Sequence, residues 1–471
     1  MKLDDETLPQ LTISGPTYDR TQTGIGIVHF GVGGFHRAHQ AAYLDRLLNA
    51  GLADGWGICG VGVLPADRRM ADVMTAQNGL YTLLLEHPDG AREARIIGSI
   101  VDYRFAPDDP DGVIELLAAP STRIISLTIT EGGYQLDDLP EINVFGLVTA
   151  ALARRRERGV PSPTIVSCDN IAGNGEVARH AFTTYADSAH PGLSDWIAEH
   201  TRFPNSMVDR ITPVTTPAVI DMVATEFGVD DQWPVIAEPF TAWVLEDDFS
   251  DGRPPWEEAD VLLVDDVTPY ELMKLRLLNA GHQTLCYFAY LAGYRLVHEA
   301  AADPLFAELL RRYFAEATPT LPPVPGIDLA DYQRTLIERF ANPGVRDTIA
   351  RLCAYSSDRI PQWLVPVIEA NLKADRGVQI SAAVVASWAR YAEGVDEQGQ
   401  PIDVEDNRTD TLRPLAEAQR DNPTAFIENT ALFGDLAQQP RFVEAYRESL
   451  ASLHGVGARS TLEALLDGDV R

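Results

Sequence analysis

IGIVHFGVGGFH, residues 25–36, joins a nearly unbroken apolar run to a glycine-rich turn. Such a run suits a strand covered on both faces, and glycines at its end permit a tight turn and the close approach of a pyrophosphate. The helix-like stretch RAHQAAYLDRLLNAG (37–51) follows, and the N-terminus of a helix there stabilises the charge. Strand, glycine turn and helix in this order open a dinucleotide-binding unit. The pattern Gly31-x-Gly33-x-x-His36 carries histidine where a third glycine is usual, so taken alone it also describes a plain strand-to-helix turn.

The runs WGICGVGV (56–63), ARIIGSI (94–100), TRIISLTI (122–129) and PTIVSCD (163–169) repeat the buried-strand pattern, with helical segments between them. After Asp266 apolar residues recur at helical spacing through 271–298, 304–317, 328–341, 343–354, 361–372, 380–394 and 440–468. The change follows FSDGRPPWEEADVLLVDDVTPYE (249–271), whose Gly, Pro and Asp mark turns before a helix opened by Thr268 and Pro269. The prediction is an α/β domain over 1–268 with a mostly parallel sheet, and an all-helical domain over 269–471. The proline-rich ATPTLPPVPGIDLADY (317–332) reads as an interhelical loop.

A chain of 471 residues exceeds one ordinary core, and 45% hydrophobic with 23% charged residues is a globular balance. A net charge of -31 opposes docking on polyphosphate backbones or anionic membranes, which argues against a nucleic-acid or membrane partner. Cys59, Cys168, Cys286 and Cys353 lie far apart with no C-x-x-C pair, as in a chain kept in a reducing compartment. MKLDDETLPQLTIS has no apolar core of signal-peptide length, and no stretch of about 18 uncharged apolar residues occurs. A cytoplasmic protein is expected.

Cofactor choice belongs after the second strand, where an acid accepts the ribose hydroxyls and repels a 2′-phosphate. Asp67 lies there and favours NAD, whereas Asp54 precedes the strand. Arg68 and Arg69 are the features that would accept a 2′-phosphate instead. His36 and His39 invite a metal, but no third ligand accompanies them. His36 is expected to face the cofactor from the turn, and Arg37 to meet a phosphate or carboxylate.

The stretch Pro269 to His282 (PYELMKLRLLNAGH) holds the residue types that oxidise a secondary alcohol. A base takes the hydroxyl proton, neutral donors hold the developing alkoxide, and a nicotinamide takes the hydride. Lys274 suits the first role once its usual pKa of about 10.4 is lowered by burial near a positive charge. Asn279 suits the second, and His282 can hold a neighbouring hydroxyl. On an α-helix Lys274 and Asn279 differ by about 140°, so a shared site needs either long side chains converging near the helix start or a helix locally loosened by Gly281.

Together these segments resemble the mannitol 2-dehydrogenase family, the polyol-specific long-chain dehydrogenases, over nearly the whole chain. The resemblance is carried by GVGGFHRAHQAAYLD (31–45), SLTITEGGY (126–134), SCDNIAGNG (167–175), FPNSMVDRITP (203–213), EPFTAWVLED (238–247) and KLRLLNAGH (274–282). It implies a Rossmann-type N-terminal domain, a helical C-terminal domain and a zinc-independent active site formed by both. It further implies Lys274 as general base, Asn170 and Asn279 as the oxyanion pocket, His282 as a substrate-positioning residue and Glu271 as a proton outlet. Asp209, Arg351 and Arg359 would bind polyol hydroxyls. Cofactor contacts would come from Gly31, Gly33, Gly34, Phe35, His36, Arg37, Asp67, Thr130 and Glu131. Arg359 stands in YSSDRIPQW where relatives carry a lysine, Ala66 where an acid often precedes Asp67, and Ala280 where many carry glycine.

The expected reaction is reversible oxidation of D-mannitol at C2 to D-fructose with NAD, NADP being the lesser choice and no metal taking part. Reduction of a keto-uronate such as fructuronate, or oxidation of arabinitol or sorbitol, is the alternative. From other classes come a dinucleotide-binding sensor without turnover and a metal-dependent hydrolase or isomerase using His36 and His39. A monomer or weak oligomer is expected by analogy with the family.

Overall fold

The computed structural model describes residues 1–467, so the final residue of the predicted helix 440–468 lies outside the described residues. The chain divides into two compact units, Met1–Thr268 and Pro269–Arg471. Eleven strands lie in the first: β1 (Ile25–Phe30), β2 (Gly57–Gly62), β3 (Tyr81–Glu86), β4 (Arg92–Ile97), β5 (Ile100–Phe105), β6 (Ile124–Leu127), β7 (Thr164–Ser167), β8 (Ser206–Asp209), β9 (Val235–Ala237), β10 (Ala242–Glu246) and β11 (Leu262–Val264).

Five of these form a parallel sheet in the order β5-β2-β1-β6-β7. Side chains alternate across it. Ile27, Ile58, Ile124 and Val166 enter one core, while Val28, Cys59, Val61, Ile125, Leu127 and Ile165 enter the other. Both faces are thus covered, which is why these strands read as continuous apolar runs rather than as alternating ones. Crossover helices include Pro110–Ala118, capped by Asp109 on the Gly112 amide, and Val144–Arg158, capped by Asn143 on the Gly146 amide. The architecture is the expected Rossmann-type one.

The run 94–100 is not one strand. It breaks at Gly98 and Ser99 into the end of β4 and the start of β5. β4 pairs antiparallel with β3 in a separate three-stranded sheet, β4-β3-β9, whereas β5 is the edge of the parallel sheet. The Gly98 amide donates to the buried Asp45 carboxylate at 2.9 Å, which turns the chain from one sheet to the other. A third sheet, β11-β10-β8, sets Asp209 opposite Ala242.

In the second unit all strands are missing and helices dominate among the described residues. Helix Gln379–Ala392 is buried nearly all round and packs against Ala280–Leu291 and Pro440–Asp467, as a central helix should. The segment predicted as one helix over 343–354 is helical only at Ile349–Cys353, and 361–372 is split between Ser356–Trp363 and Val365–Lys373. Among the described residues no helix is long and apolar enough to cross a membrane.

Candidate active site

Strand order reverses between β1 and β6, and Phe30, Leu127 and Ser167 lie side by side in register at the carboxyl ends of β1, β6 and β7. The residues that follow them line the crevice where open α/β sheets bind ligands. Gly31 sits there with φ +88°, and a Cβ on it would lie 2.1 Å from the Thr128 carbonyl oxygen. No side chain fits that approach, so a glycine is required for β1 and β6 to end so close together. Gly31 thus sets the close approach of the two strand ends at the place where open α/β sheets bind ligands.

A chain of hydrogen bonds fixes this corner. The Thr128 hydroxyl donates to the Gly31 carbonyl at 2.6 Å, so its oxygen accepts from Nε2 of His29 at 2.9 Å. That assigns the proton of His29 to Nε2 and leaves Nδ1 to accept from the Ser126 hydroxyl at 2.8 Å. Burial drives the His29 pKa down to about 3, so the ring stays neutral. Sequence reasoning passed over His29 because it lies inside a strand, between Val28 and Phe30.

His36 turns inward. Its ring stacks on His29 at 3.4 Å between centroids, and both of its nitrogens are buried without a protein partner. Arg37 is also buried, with its guanidinium donating to the carbonyls of Gly33 and Trp233 instead of facing the crevice. His39 spends Nε2 on the Ala242 carbonyl and Nδ1 on the Gln40 amide, each at 2.9 Å. The run expected as one helix after the glycines is broken at His39, between Gly34–Ala38 and Gln40–Asn49. Phe35 lies against the His39 ring at 4.9 Å.

Thr130 and Glu131 follow β6, where a short turn Glu131–Tyr134 brings the Tyr134 hydroxyl 2.8 Å from the Asp169 carboxylate. Asn170, the next residue, is exposed at the end of β7. Asp209 is buried at the end of β8. Its neighbour Arg210 donates to the Ala38 carbonyl at 2.5 Å and to that of Glu238 at 3.0 Å, which ties this strand end to the helix after the glycine turn.

Beyond β2, one oxygen of Asp67 accepts the amides of Val63 and Leu64 at 2.8 and 2.9 Å. Arg68 is paired with Asp108 through both terminal nitrogens. Its guanidinium also lies 4.0 Å above the Phe105 ring, while that of Arg69 lies 4.4 Å above Trp233.

In the second unit, helix Thr268–Met273 continues into a π-helical turn, Lys274–Asn279, and then into helix Ala280–Leu291. The Ala280 amide reaches back to the Leu275 carbonyl, an i to i−5 bond. In that geometry residues five apart stand above one another, as residues four apart do in an α-helix. Lys274 and Asn279 are therefore one π turn apart and share a side. The 140° separation expected for an α-helix does not apply, and the loosening lies within 274–279 rather than at Gly281. Gly281 serves packing instead, since a Cβ there would lie 3.2 Å from the Phe314 ring.

Lys274 and Asn279 are 8% and 5% exposed, and the Asn279 side-chain nitrogen has no hydrogen-bond partner among the described residues. Glu271 precedes them on the same helix and is half-buried. His282 stacks on Phe340 at 4.2 Å. Gln283, the next residue, donates to the Leu352 carbonyl at 3.0 Å, and Arg359 donates to the same carbonyl at 3.1 Å and to that of Arg351 at 3.2 Å. Arg351 and Arg359 are thereby gathered beside the helix of Lys274. The Arg351 guanidinium is bound to the Asp347 carboxylate, with Nε 2.6 Å from one oxygen.

Comparison with known proteins accords with this arrangement. Residues 25–258 match the mannitol dehydrogenase Rossmann domain, and residues 266–454 match the mannitol dehydrogenase C-terminal domain. A mannitol 2-dehydrogenase of Phaeosphaeria nodorum is 42% identical over 98% of this chain and 85% of its own. The solved mannitol 2-dehydrogenase of Pseudomonas fluorescens, a ternary complex with NAD and D-mannitol, is 43% identical with a TM-score of 0.89 over 100% of both chains. A substrate-free D-sorbitol dehydrogenase structure is 34% identical with a TM-score of 0.91, over 98% of this chain and 100% of its own. The chain belongs to the mannitol dehydrogenase family and carries both of its domains.

Proposed function

We propose that this chain catalyses the reversible, NAD-dependent oxidation of D-mannitol at C2 to D-fructose, with Lys274 as the general base. The observation that carries the reading is the π turn, which sets a buried lysine and a buried, unpartnered asparagine amide on one side of a helix. A neutral lysine amine accepts the hydroxyl proton, and the Asn279 amide donates to the oxygen as negative charge grows on it. Asn170, from the first unit, is proposed as the second donor, with His282, Asp209, Arg351 and Arg359 holding the remaining hydroxyls and Glu271 passing the proton onward. The bound nicotinamide supplies the acceptor for the hydride. The Gly31 turn, Phe35, Asp67, Thr130 and Glu131 are proposed to hold the cofactor.

Four further observations bear on the choice of substrate and cofactor. The Pseudomonas fluorescens relative, matched over its whole length, holds NAD and D-mannitol. The Arg351 charge is already met by Asp347, which favours a neutral polyol over a keto-uronate. The Arg68 charge is already met by Asp108, which favours NAD over a 2′-phosphorylated cofactor. The D-sorbitol dehydrogenase likeness supports sorbitol as a second polyol for this site.

Nicotinamide absorbance followed with mannitol, sorbitol, arabinitol, fructose and fructuronate tests the substrate. Mannitol and fructose are expected to turn over fastest, and a fructuronate rate far above that of fructose overturns the assignment. Lys274→Met is expected to cut the oxidation kcat by about 10²- to 10⁴-fold while leaving NAD binding intact. Undiminished turnover in that variant would remove Lys274 from the role of base.

A further inference from the structure

In an α-helix the amide of Ala280 bonds to the carbonyl of Arg276. Here it reaches the carbonyls of Leu275 and Leu277 and skips Arg276. The skipped carbonyl instead accepts a hydrogen bond from the Tyr313 hydroxyl at 2.8 Å. Tyr313 is fully buried on helix Pro304–Ala317, which packs along Ala280–Leu291.

The same helix and the short turn Thr318–Thr320 that follows it grip this segment at two further points. The Phe314 ring closes on Gly281, where there is no room for a Cβ without displacement. The Arg276 guanidinium donates to the carbonyl of Thr320, just past the helix end. The carbonyl of Arg276 is thus held from the helix and its side chain from the short turn that follows it. A carbonyl partly shielded from water and deprived of its α-helical donor is costly unless another donor replaces it, and the Tyr313 hydroxyl is that donor.

We propose that Tyr313 is a positioning residue for the reaction: its hydroxyl stabilises the π turn by occupying the Arg276 carbonyl, and so keeps Lys274 and Asn279 on one side. The proposal rests on the reading of Lys274 as base. Without the hydroxyl, the Arg276 carbonyl recovers its hydrogen bond if Ala280 returns to the α pattern. In that pattern Lys274 and Asn279 diverge by about 140°. Tyr313 itself touches no reacting atom, and its effect is conveyed through backbone register.

The test is Tyr313→Phe, which keeps the ring and removes one oxygen. The kcat for polyol oxidation is expected to fall by about tenfold or more, the Kd for NAD is expected to stay unchanged, and a crystal structure is expected to show the Ala280 amide on Arg276. Tyr294→Phe is the control. Its hydroxyl donates to Asp303 at 2.7 Å, away from the π turn, so its loss should lower stability without moving kcat. Phe314→Leu, which loosens the grip at Gly281 by volume alone, is expected to lower kcat in the same direction and serves if Tyr313→Phe does not fold. A kcat within about twofold of wild type in both variants, beside an inactive Lys274→Met, overturns the role of Tyr313 alone. An active Lys274→Met overturns the base assignment and this inference with it.

Discussion

The Asp169 carboxylate accepts the backbone amide of Thr130 at 2.7 Å, and Thr130 is held at φ 66° and ψ 167°. Glycine is nearly alone in adopting that conformation, and a residue with a side chain pays about 1–3 kcal/mol to be there. Asp169 also accepts the Ile129 amide at 3.2 Å and the Tyr134 hydroxyl at 2.8 Å, so the turn after β6 is over-determined by a single buried carboxylate. The strained residue is thus Thr130, itself one of the proposed cofactor residues, and the carboxylate that holds it directly precedes Asn170. Backbone strain persists where the surroundings enforce it, and such places gather at functional sites.

Exchanging Asp169 for Asn puts an amide where only acceptors are wanted. Asp169→Asn is expected to raise the KM for NAD and lower kcat, each by roughly tenfold, the scale of one lost charge-assisted hydrogen bond. Thr130→Gly removes the strain and is expected to restore much of that loss in the Asp169→Asn background. Steady-state kinetics on the two single variants and the double variant decide it, through a coupling of about 1 kcal/mol or more. Losses that merely add would show that the carboxylate holds no strain at Thr130.

His29 gives a pH signature of folding. Its pKa is about 3 in the folded protein because burial disfavours the charged ring, against about 6.5 when exposed. Above pH 6.5 neither state binds the proton, and the stability contribution is complete. As the pH falls below 6.5 the unfolded chain takes the proton first, so stability drops by about 1.4 kcal/mol per pH unit until the folded value is reached. His36, stacked on it and shifted down by the same burial, adds a second such loss. Urea denaturation of the first unit's signal between pH 7 and pH 5 is expected to show this slope, and His29→Gln to lose about one proton's share of it. An unchanged slope would assign the titration to other groups.

Cofactor preference is open to a direct test at the surface. Arg68 follows β2 and is neutralised by Asp108. Asp108→Ala frees the guanidinium and is expected to raise kcat/KM for NADP relative to NAD by about two- to fivefold, the scale of one exposed ion pair. Adding Arg68→Ala should erase the gain. If NADP use does not move in Asp108→Ala, the ion pair plays no part in the choice of cofactor.

The Rossmann-type half was legible because β1, β2, β6 and β7 are buried on both faces and so read as apolar runs. β5 was missed because it is an edge strand bearing Asp102, Tyr103 and Arg104, and its first residue was absorbed into the run ending β4. The glycine turn was readable, yet the inward rotation of His36 and Arg37 was not, since it depends on His29 and on the distant Trp233 carbonyl. The lysine helix was readable in its residue types, and a local loosening was among the expected geometries, but its place within 274–279 was not readable. Propensity and spacing assume 3.6 residues per turn, whereas the π turn is imposed by contacts from Tyr313 and Phe314 that no local pattern encodes.

Asn279 separates stability from catalysis more sharply than any other residue of the π turn. Its side-chain nitrogen is buried and has no partner among the described residues, so the folded protein gains nothing from that donor and bears its desolvation, about 1–3 kcal/mol. Asn279→Ala is therefore expected to leave Tm unchanged or slightly higher. The same substitution removes a donor aimed at the developing alkoxide, and loss of one such donor lowers kcat by about 10²- to 10³-fold. Asn279→Asp should be worse on both counts, because it buries a carboxylate at the point where negative charge must grow. Thermal melts and steady-state oxidation rates on the two variants check the claim. A fall in Tm that parallels the fall in kcat would make Asn279 a structural residue, and a kcat within twofold of wild type in Asn279→Ala would remove it from the oxyanion pocket.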